Sequence, residues 1–383
     1  MRVLFAFDKF KDSLTAQQAC EVAAAALRER HPGWTTDLCP LADGGEGFCE
    51  ILTRAVGGEI VRVPATGPRG GTVEAAYGLV PGAKIPAAAR AFFGNAPLTG
   101  RIAVIELAAA SGLALLPPAQ RDPWQTTTLG TGELILAAAR AGAGAILLGV
   151  GGSATHDLGT GALAALGLEF RNARDERVHP PVPARWKEIT RISGQVRAGL
   201  PPIFIACDVT NPLLGPRGAA AVYGPQKGLR PDDLSRLENE SARLALMLCA
   251  HCGQNDALMD LPGTGAAGGI AFGLLAAARA QLLPGFELVS AWLDLEARLA
   301  VADLVVTGEG RFDESSGAGK GPGAVVARSL ALGKPVHVFA GAASVASHHP
   351  HLFLHEITPA GTPLATALRD ATPNLTAAVQ RAL

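Results

Sequence analysis

Residues 145–161, AILLGVGGSATHDLGTG, constrain the fold more than any other segment of this chain. The apolar start predicts a buried strand, the glycines predict a sharp turn, and the Ala-rich residues from about Thr160 predict a helix. Similar transitions from an apolar run to glycines and acids recur after residues 2–7, 36–41, 203–207 and 304–306. Strands therefore alternate with helices, which predicts an α/β protein with a mainly parallel sheet.

Composition narrows the class of protein further. The chain is 48% hydrophobic and 17% charged, which favours a large folded core over disorder. Its net charge of −1, with no basic run, disfavours nucleic acid as a partner. No secretory signal or membrane span is visible, and six scattered cysteines fit a reducing compartment, so we expect a cytoplasmic protein.

Charged residues follow the first two predicted strands. Open α/β sheets bind ligands at the carboxyl ends of their strands, which is where these residues fall. Lys9 and Lys11 are suited to bind a phosphate or carboxylate, and Asp43 and Glu46 to hold Mg²⁺ or orient a hydroxyl group. The alternatives are solvated lysines and an acidic first turn at a helix N-terminus.

The turn within residues 145–161 also carries reactive groups. Glycine amides and a helix start can hold an anion. Ser153 and Thr155 add hydroxyl groups, and Asp157 adds a carboxylate that could hold a metal or take a proton. The alternative is a tight turn between strand and helix whose polar residues serve as caps.

Three further segments combine glycines with polar residues. Residues 126–132, TTTLGTG, precede Glu133 and a helix, as in an anion-binding loop or a capping box. Asp208 directly follows the predicted strand at residues 203–207. Residues 307–313, TGEGRFD, follow the predicted strand at residues 304–306. Residues 317–321, GAGKG, resemble a phosphate loop but do not match the Walker A pattern.

This inventory of carboxylates, cations and glycine amides suits phosphoryl transfer, which needs positioning, Mg²⁺ and positive charge. A competing interpretation is a dinucleotide-binding oxidoreductase, because Gly149, Gly151 and Ala154 match a relaxed fingerprint after a strand, with Glu169 about 20 residues on. A third is a metabolite-binding protein without catalysis, although it would not need so many acids.

A set of segments, in order along the chain, resembles the bacterial glycerate kinase family of the first type: DKFKDSLTA (8–16), ADGGEG (42–47), ELAAASGL (106–113), GTGELI (130–135), GVGGSATHD (149–157), ACDVTNPL (206–213), GAAGG (265–269) and VTGEGRFD (306–313). The resemblance covers about residues 3–340. It implies ATP-dependent phosphorylation of D-glycerate, usually to 2-phosphoglycerate, with Mg²⁺. The 3-hydroxyl stays open as the alternative acceptor, and the substrate is the only partner expected of a monomer or homodimer.

The resemblance also implies an architecture: a Rossmann/flavodoxin-like parallel-sheet domain built from residues 1–63 and 288–383, an inserted α/β domain of residues 64–287, and an active site in the cleft. Chemistry and motif position together predict four groups of site residues. They are catalytic Asp157, Asp43, Lys11 and Arg311; substrate-binding Lys9, Ser13, Gly152, Ser153 and Thr155; nucleotide-binding Gly130, Thr131, Gly132, Gly268, Gly269, Gly308, Gly310 and Lys320; and metal-binding Asp208, Glu309 and Asp313.

The chain departs from the family pattern at a few positions. Asp12 stands where Gly is usual, and His156 and Leu158 stand where Asn and Gly are common. Residues 314–316 replace a stretch that usually carries Gln-Thr. These changes keep the acids and Arg311, so we expect the chemistry to persist while the nucleotide contacts differ in detail.

Overall fold

A computed structural model describes residues 1–96, 98, 100–313, 316, 321–344 and 349–383. The chain divides into two compact units. The first unit comprises Met1–Gly47 and Phe286–Leu383, and the second unit comprises Phe48–Gly285. Each unit is built around its own sheet, so the predicted α/β class with mainly parallel strands is confirmed.

The first unit has a five-stranded sheet in which every pair of neighbours is parallel. Its elements are β1 (Arg2–Phe7), α1 (Ala16–Arg30), β2 (Thr35–Leu38), α11 (Leu295–Val301), β11 (Leu304–Phe312), α12 (Gly321–Ala331), β12 (Val336–Ala343), β13 (Leu352–Glu356), α13 (Leu364–Arg369) and α14 (Ala371–Ala382). The strand order is β13-β12-β11-β1-β2. Because the strands are parallel, the loops after β1, β2 and β11 leave from the same edge of the sheet.

The inner strand β1 is apolar from Val3 to Phe7 because both of its faces are covered. Phe5 and Phe7 are fully buried against a cluster that includes Ala23 of α1 and Leu375 of α14. Helix α1 begins where the sequence predicts, after Thr15, whose hydroxyl accepts from the Gln18 backbone while the Gln18 side chain accepts from the Thr15 backbone. This capping box fixes the start of the helix that covers β1.

The second unit has a six-stranded sheet of order β10-β9-β6-β5-β4-β3, parallel from β10 to β5 and antiparallel from β5 to β3. Its elements are α2 (Phe48–Ala55), β3 (Glu59–Thr66), β4 (Thr72–Pro81), α3 (Ala87–Arg90), β5 (Arg101–Glu106), α4 (Ala108–Ser111), α5 (Leu129–Arg140), β6 (Ala143–Gly149), α6 (Thr160–Leu166), β7 (Leu168–Arg171), β8 (Arg191–Gly194), β9 (Ile203–Ala206), α7 (Ala219–Tyr223), α8 (Leu234–Cys252), α9 (Ala266–Ala278) and β10 (Gln281–Leu283). Helix α10 (Gly285–Trp292) spans the junction with the first unit. None of the described helices has the length and apolar character needed to cross a membrane.

The boundary of the first unit differs from the predicted one. The prediction assigned residues 48–63 to the first domain, whereas the structure places Phe48 onward in the second unit. The reason is β3, which pairs antiparallel with β4 along its whole length, from Glu59 opposite Leu79 to Thr66 opposite Thr72. The second boundary, predicted between residues 287 and 288, lies between 285 and 286.

Candidate functional site

The carboxyl edge of the first unit's sheet holds a lysine between two carboxylates. The Lys9 ammonium lies 3.5 Å from Asp8 and 3.6 Å from Asp43. Burial alone would lower the pKa of Lys9, but the charges of Asp43, Asp8 and Glu46 raise it above its ordinary value. Lys9 is therefore a fixed cation at the point where three loops leave the sheet.

Glu309 of β11 belongs to the same edge and has an unusual carboxyl group. Burial raises the pKa of Glu309 to about 7, with further contributions from Asp8 and Asp313, while Ser316 and Lys9 oppose the rise. Among the residues that the structure describes, none forms a hydrogen bond with its buried Oε1 atom. Burial likewise raises the pKa of Asp8, against the opposing charge of Lys9. The edge therefore concentrates more negative charge than Lys9 alone can offset.

Glu309 makes the stability of the protein depend on pH. Since its pKa is raised in the folded state, the folded protein keeps a proton between about pH 4.5 and 7 that the unfolded chain has lost. Unfolding then becomes easier as the pH rises through this window. We expect the free energy of unfolding of Glu309→Gln to fall less than that of the wild type between pH 4.5 and 7. Urea denaturation of both proteins at several pH values in that range measures these free energies. The same pH dependence in the two proteins would contradict the prediction.

The other predicted residues of this edge are more exposed. Lys11 and Arg311 reach solvent, and Arg311 lies 3.3 Å from Asp313 with 73% of its side chain exposed. Ser13 donates both its backbone N–H and its hydroxyl group to the carbonyl of Phe10, so it shapes the turn after β1. Lys11 and Arg311 are therefore free to meet a ligand, whereas Ser13 serves mainly to form the turn.

The glycines of β11 have different surroundings. A Cβ atom at Gly308 would lie 1.9 Å from the Phe339 carbonyl oxygen, so this glycine permits close packing of the sheet. Gly310 faces the Phe10–Lys11 backbone, and a Cβ atom there would lie 3.3 Å from the Lys11 nitrogen. Gly310 therefore packs against the turn after β1, and its role in nucleotide binding stays a prediction. Lys320, predicted to bind nucleotide, lies outside the described residues.

In the second unit, the central loop (residues 150–159, between β6 and α6) forms hydrogen bonds with several neighbouring elements. The Ala154 N–H donates to the Ser111 carbonyl, and its own carbonyl accepts from the Thr126 hydroxyl. The Leu158 N–H donates to the Gly268 carbonyl at 3.0 Å. Such a loop is rigid because moving it would break bonds to several elements together.

Exposure within the central loop decides which of its residues can meet a ligand. Gly152 is exposed and has a left-handed backbone with φ of 70°. Ser153 is 7% exposed, and Thr155 is fully buried with its hydroxyl group unpartnered. Gly152 and Ser153 therefore remain candidates for substrate binding, whereas the Thr155 side chain is not placed to contact a ligand from solution.

Asp157 has a structural position that the sequence did not reveal. Its Oδ2 atom accepts from the Thr128 N–H at 2.7 Å, the Thr128 hydroxyl at 2.9 Å and the Gly161 N–H at 3.2 Å, and its Oδ1 atom accepts from the Gly159 N–H at 3.1 Å. Burial raises the pKa of Asp157, and these bonds oppose the rise. The side chain has no exposed oxygen with which to accept a substrate proton. This is a correction to the predicted catalytic role.

The segment 130–132, predicted to bind nucleotide, lies in the first turn of α5 and packs against the protein itself. A Cβ atom at Gly130 would lie 1.9 Å from the Thr66 carbonyl oxygen, and one at Gly132 would lie 2.6 Å from the Ala162 carbonyl oxygen. The Thr131 hydroxyl is hydrogen-bonded to Ser111. These residues let α5 pack closely on β3 and α6. All three are buried, which corrects the expectation of an open phosphate loop.

The capping box, which was the alternative interpretation of this segment, does not form at the start of α5. The Thr128 side chain makes no capping bond because its hydroxyl donates to Asp157. Glu133 instead accepts from the backbone N–H and the hydroxyl group of Thr66. The polar groups of this segment therefore join α5 to β3 and the central loop.

Gly268 and Gly269 likewise contact the central loop. Both have left-handed backbones, and a Cβ atom at Gly268 would lie 2.1 Å from the Thr155 carbonyl oxygen. One at Gly269 would lie 2.6 Å from the Leu158 side chain. They are buried packing residues, so the predicted contact with a nucleotide is not supported by their positions.

The three predicted metal ligands are divided between the two units. Glu309 and Asp313 belong to the first unit, and Asp208 follows β9 in the second unit, where its Oδ2 atom faces Gly285. Among the residues that the structure describes, no group of three or more His, Cys, Asp or Glu side chains is arranged to hold a metal ion.

Two residues of these sites were missed in the sequence. Asp8 directly precedes Lys9 at a strand end, and that position was a usable signal. Lys227 donates to the Thr155 carbonyl at 2.7 Å from a short turn, Pro225–Lys227, that has no motif of its own. Only the folded chain brings Lys227 to the central loop.

Comparison with known proteins decides the family. A sequence profile described as "Glycerate kinase family" matches residues 3–383. The chain belongs to the glycerate kinase family. The resemblance inferred from the sequence motifs is thereby confirmed over nearly the whole chain.

Individual members of the glycerate kinase family agree with this assignment. The glycerate kinase of Bacillus subtilis (strain 168) is 38% identical over 379 residues, which cover 97% of this chain and 94% of that protein. The glycerate 2-kinase of Escherichia coli (strain K12) is 37% identical, covering 89% and 85%. The crystal structure of a putative glycerate kinase 2 from Salmonella typhimurium LT2 is 40% identical, with a TM-score of 0.76, and covers 100% of this chain and 96% of that one.

Proposed function

We propose that this protein transfers the γ-phosphoryl group of ATP to D-glycerate and forms 2-phosphoglycerate, with Mg²⁺ as cofactor. Membership of the glycerate kinase family supports the reaction class, and a relative named glycerate 2-kinase supports the 2-hydroxyl as acceptor. The observation that carries the proposal is the edge of the first unit, where Lys9 lies between Asp8 and Asp43. A fixed cation beside carboxylates suits phosphoryl transfer to a hydroxyl group.

Each exposed group of this edge has a role in the proposal. Lys9, Lys11 and Arg311 offset the negative charge of the carboxylate and of the moving phosphoryl group. Asp43, whose side chain is 41% exposed, orients the acceptor hydroxyl and takes its proton. It replaces Asp157, which has no exposed oxygen. In the second unit, Gly152 and Ser153 remain the proposed substrate contacts of the central loop.

The carboxylates of the first unit fit a magnesium ion. Mg²⁺ is commonly bound by one or two carboxylates together with substrate phosphates and waters. Glu309 has a buried Oε1 atom without a partner among the described residues, and Asp313 contributes to the same negative field. These two residues would hold the ion, which when bound neutralises charge on the transferring phosphoryl group. The role of Asp208 as a metal ligand stays a prediction.

The alternative of a dinucleotide-binding oxidoreductase finds little support in the second unit. A dinucleotide pyrophosphate is held by amides at the start of the helix that follows the glycine turn. Here α6 begins only at Thr160, and the amides of Gly159 and Gly161 already donate to Asp157. Those amides are therefore not available to a pyrophosphate.

Phosphorus NMR of the protein with ATP, Mg²⁺ and D-glycerate tests the proposed function directly. We expect a new phosphomonoester signal that matches 2-phosphoglycerate. A signal matching 3-phosphoglycerate would keep the kinase activity and overturn the choice of hydroxyl group. Unconsumed ATP in the presence of folded protein would contradict the proposal.

A further inference from the structure

Lys227 is a buried cation that the proposed chemistry does not use. Its side chain is 1% exposed, although lysine is rarely buried without a partner. Its ammonium group donates to the carbonyl oxygen of Thr155 at 2.7 Å. The two residues are 72 positions apart, so the contact joins the turn Pro225–Lys227 to the middle of the central loop.

The surroundings of Lys227 also affect its protonation. Burial lowers the pKa of Lys227 to about 7, and the carboxylate of Asp157 opposes that fall. Burial and the nearby Lys227 lower the pKa of His156 to about 3, so this histidine is neutral at pH 7. The Lys227 nitrogen donates a hydrogen bond in its charged and in its neutral form, so the contact with Thr155 does not depend on its charge.

Removing the Lys227 side-chain nitrogen would leave the Thr155 carbonyl without this donor. That carbonyl lies against Gly268, where a Cβ atom would be only 2.1 Å away. A buried acceptor that loses its hydrogen bond destabilises the arrangement in which it was held. The backbone around Thr155 would therefore be less well fixed.

We propose that Lys227 is a positioning residue for the central loop: its side-chain nitrogen donates to the Thr155 carbonyl, which keeps Gly152 and Ser153 in place to bind the carboxylate of D-glycerate. This inference rests on the proposed function, since it takes an anionic hydroxy acid as the ligand. Lys227 touches no reacting atom. Its effect on binding passes through the backbone of the loop.

The first test compares Lys227→Met with Arg243→Met in full-length protein. Arg243 also donates to backbone carbonyls, those of Trp186 and Ile189, but it does not bond to the central loop. We expect Lys227→Met to raise the KM for D-glycerate at least tenfold and to change the KM for ATP less than twofold. Arg243→Met should change neither KM, although it lowers thermal stability. A Lys227→Met variant with the wild-type KM for D-glycerate would overturn the inference.

The second test observes the loop without any assay of activity. Hydrogen exchange followed by mass spectrometry reports the protection of peptides that contain the Ala154 and Leu158 amides, which bond to Ser111 and Gly268. We expect faster exchange there in Lys227→Met and unchanged exchange in Arg243→Met. Equal protection in both variants would contradict a positioning role. This result stands whether or not the wild type phosphorylates D-glycerate, so the two proposals can fail separately.

A second variant covers the case in which Lys227→Met does not fold. Lys227→Gln keeps an N–H donor for the Thr155 carbonyl while it removes the charge. We expect loop protection close to that of the wild type and a KM for D-glycerate within about twofold of it, because the hydrogen bond to Thr155 positions the loop. A tenfold higher KM for D-glycerate with unchanged loop protection would contradict the inference.

Discussion

Replacement of Asp43 with asparagine is expected to lower kcat by about 10²–10⁴-fold, the range found when a general base is removed. Asp43 is the partly exposed carboxylate that follows β2, and its Oδ1 atom lies 3.6 Å from the Lys9 ammonium. Asparagine keeps the size and the oxygen that accepts from the Gly45 N–H, but it cannot take a proton from the acceptor hydroxyl. Steady-state kinetics with D-glycerate and ATP measure the effect.

Asp12→Asn is the matched control for this substitution. Asp12 is exposed, lies in the turn after β1 and has a left-handed backbone with φ of 62°, which asparagine also tolerates. The control removes one negative charge near the same edge without touching the proposed base. We expect its kcat to stay within about twofold of the wild type. A similar loss in both variants would show that the effect is one of overall charge, and a small loss in Asp43→Asn would remove the base role from Asp43.

The alternation of strands and helices was predictable because its signals are local. β1 and β9 begin at the residues where the apolar runs 2–7 and 203–207 predict them. Whether β3 belongs to the first or to the second unit was not predictable. Its position depends on hydrogen bonds to β4 and on the packing of α5, and these contacts are not encoded in the composition of residues 48–63.

Glycines were the main source of error at the candidate site. A glycine that leaves room for a phosphate and one that leaves room for a neighbouring carbonyl look the same in a sequence. Gly130 and Gly268 both proved to be of the second kind, with backbone oxygens about 2 Å from where a Cβ would lie. Gly152, by contrast, is exposed, and only its surroundings distinguish it from the others.

The two aspartates at strand ends show the same limitation of prediction from sequence. Asp43 and Asp157 both follow strands and precede helices, so the sequence suggested one chemistry for both. Thr128 and the amides of Gly159 and Gly161 surround Asp157, whereas Asp43 keeps an exposed carboxylate. The difference arises because Thr128, at the start of α5, lies beside Asp157 in the loop after β6. The spacing of motifs in the sequence does not describe such a long-range contact.

Gly268→Ala is expected to be the most destabilising single substitution considered for the second unit. The backbone at Gly268 has φ of 74° and ψ of 30°, a left-handed conformation that costs an alanine about 1–2 kcal/mol. The added Cβ would also lie 2.1 Å from the Thr155 carbonyl oxygen and 2.6 Å from the His156 Cα, both of them backbone atoms. Overpacking of a buried site adds about 1–3 kcal/mol.

Gly253→Ala separates these two contributions. Gly253 ends α8 with φ of 65°, and nothing lies within 4 Å of a Cβ built on it. Its alanine variant therefore carries the conformational cost alone, about 1–2 kcal/mol. Urea denaturation should show Gly268→Ala losing at least about 1 kcal/mol more than Gly253→Ala, since only the former displaces the central loop. Equal losses would mean that the loop yields freely at Thr155, and that the carbonyl bonded to Lys227 is not held in the rigid arrangement on which substrate binding by Gly152 and Ser153 depends.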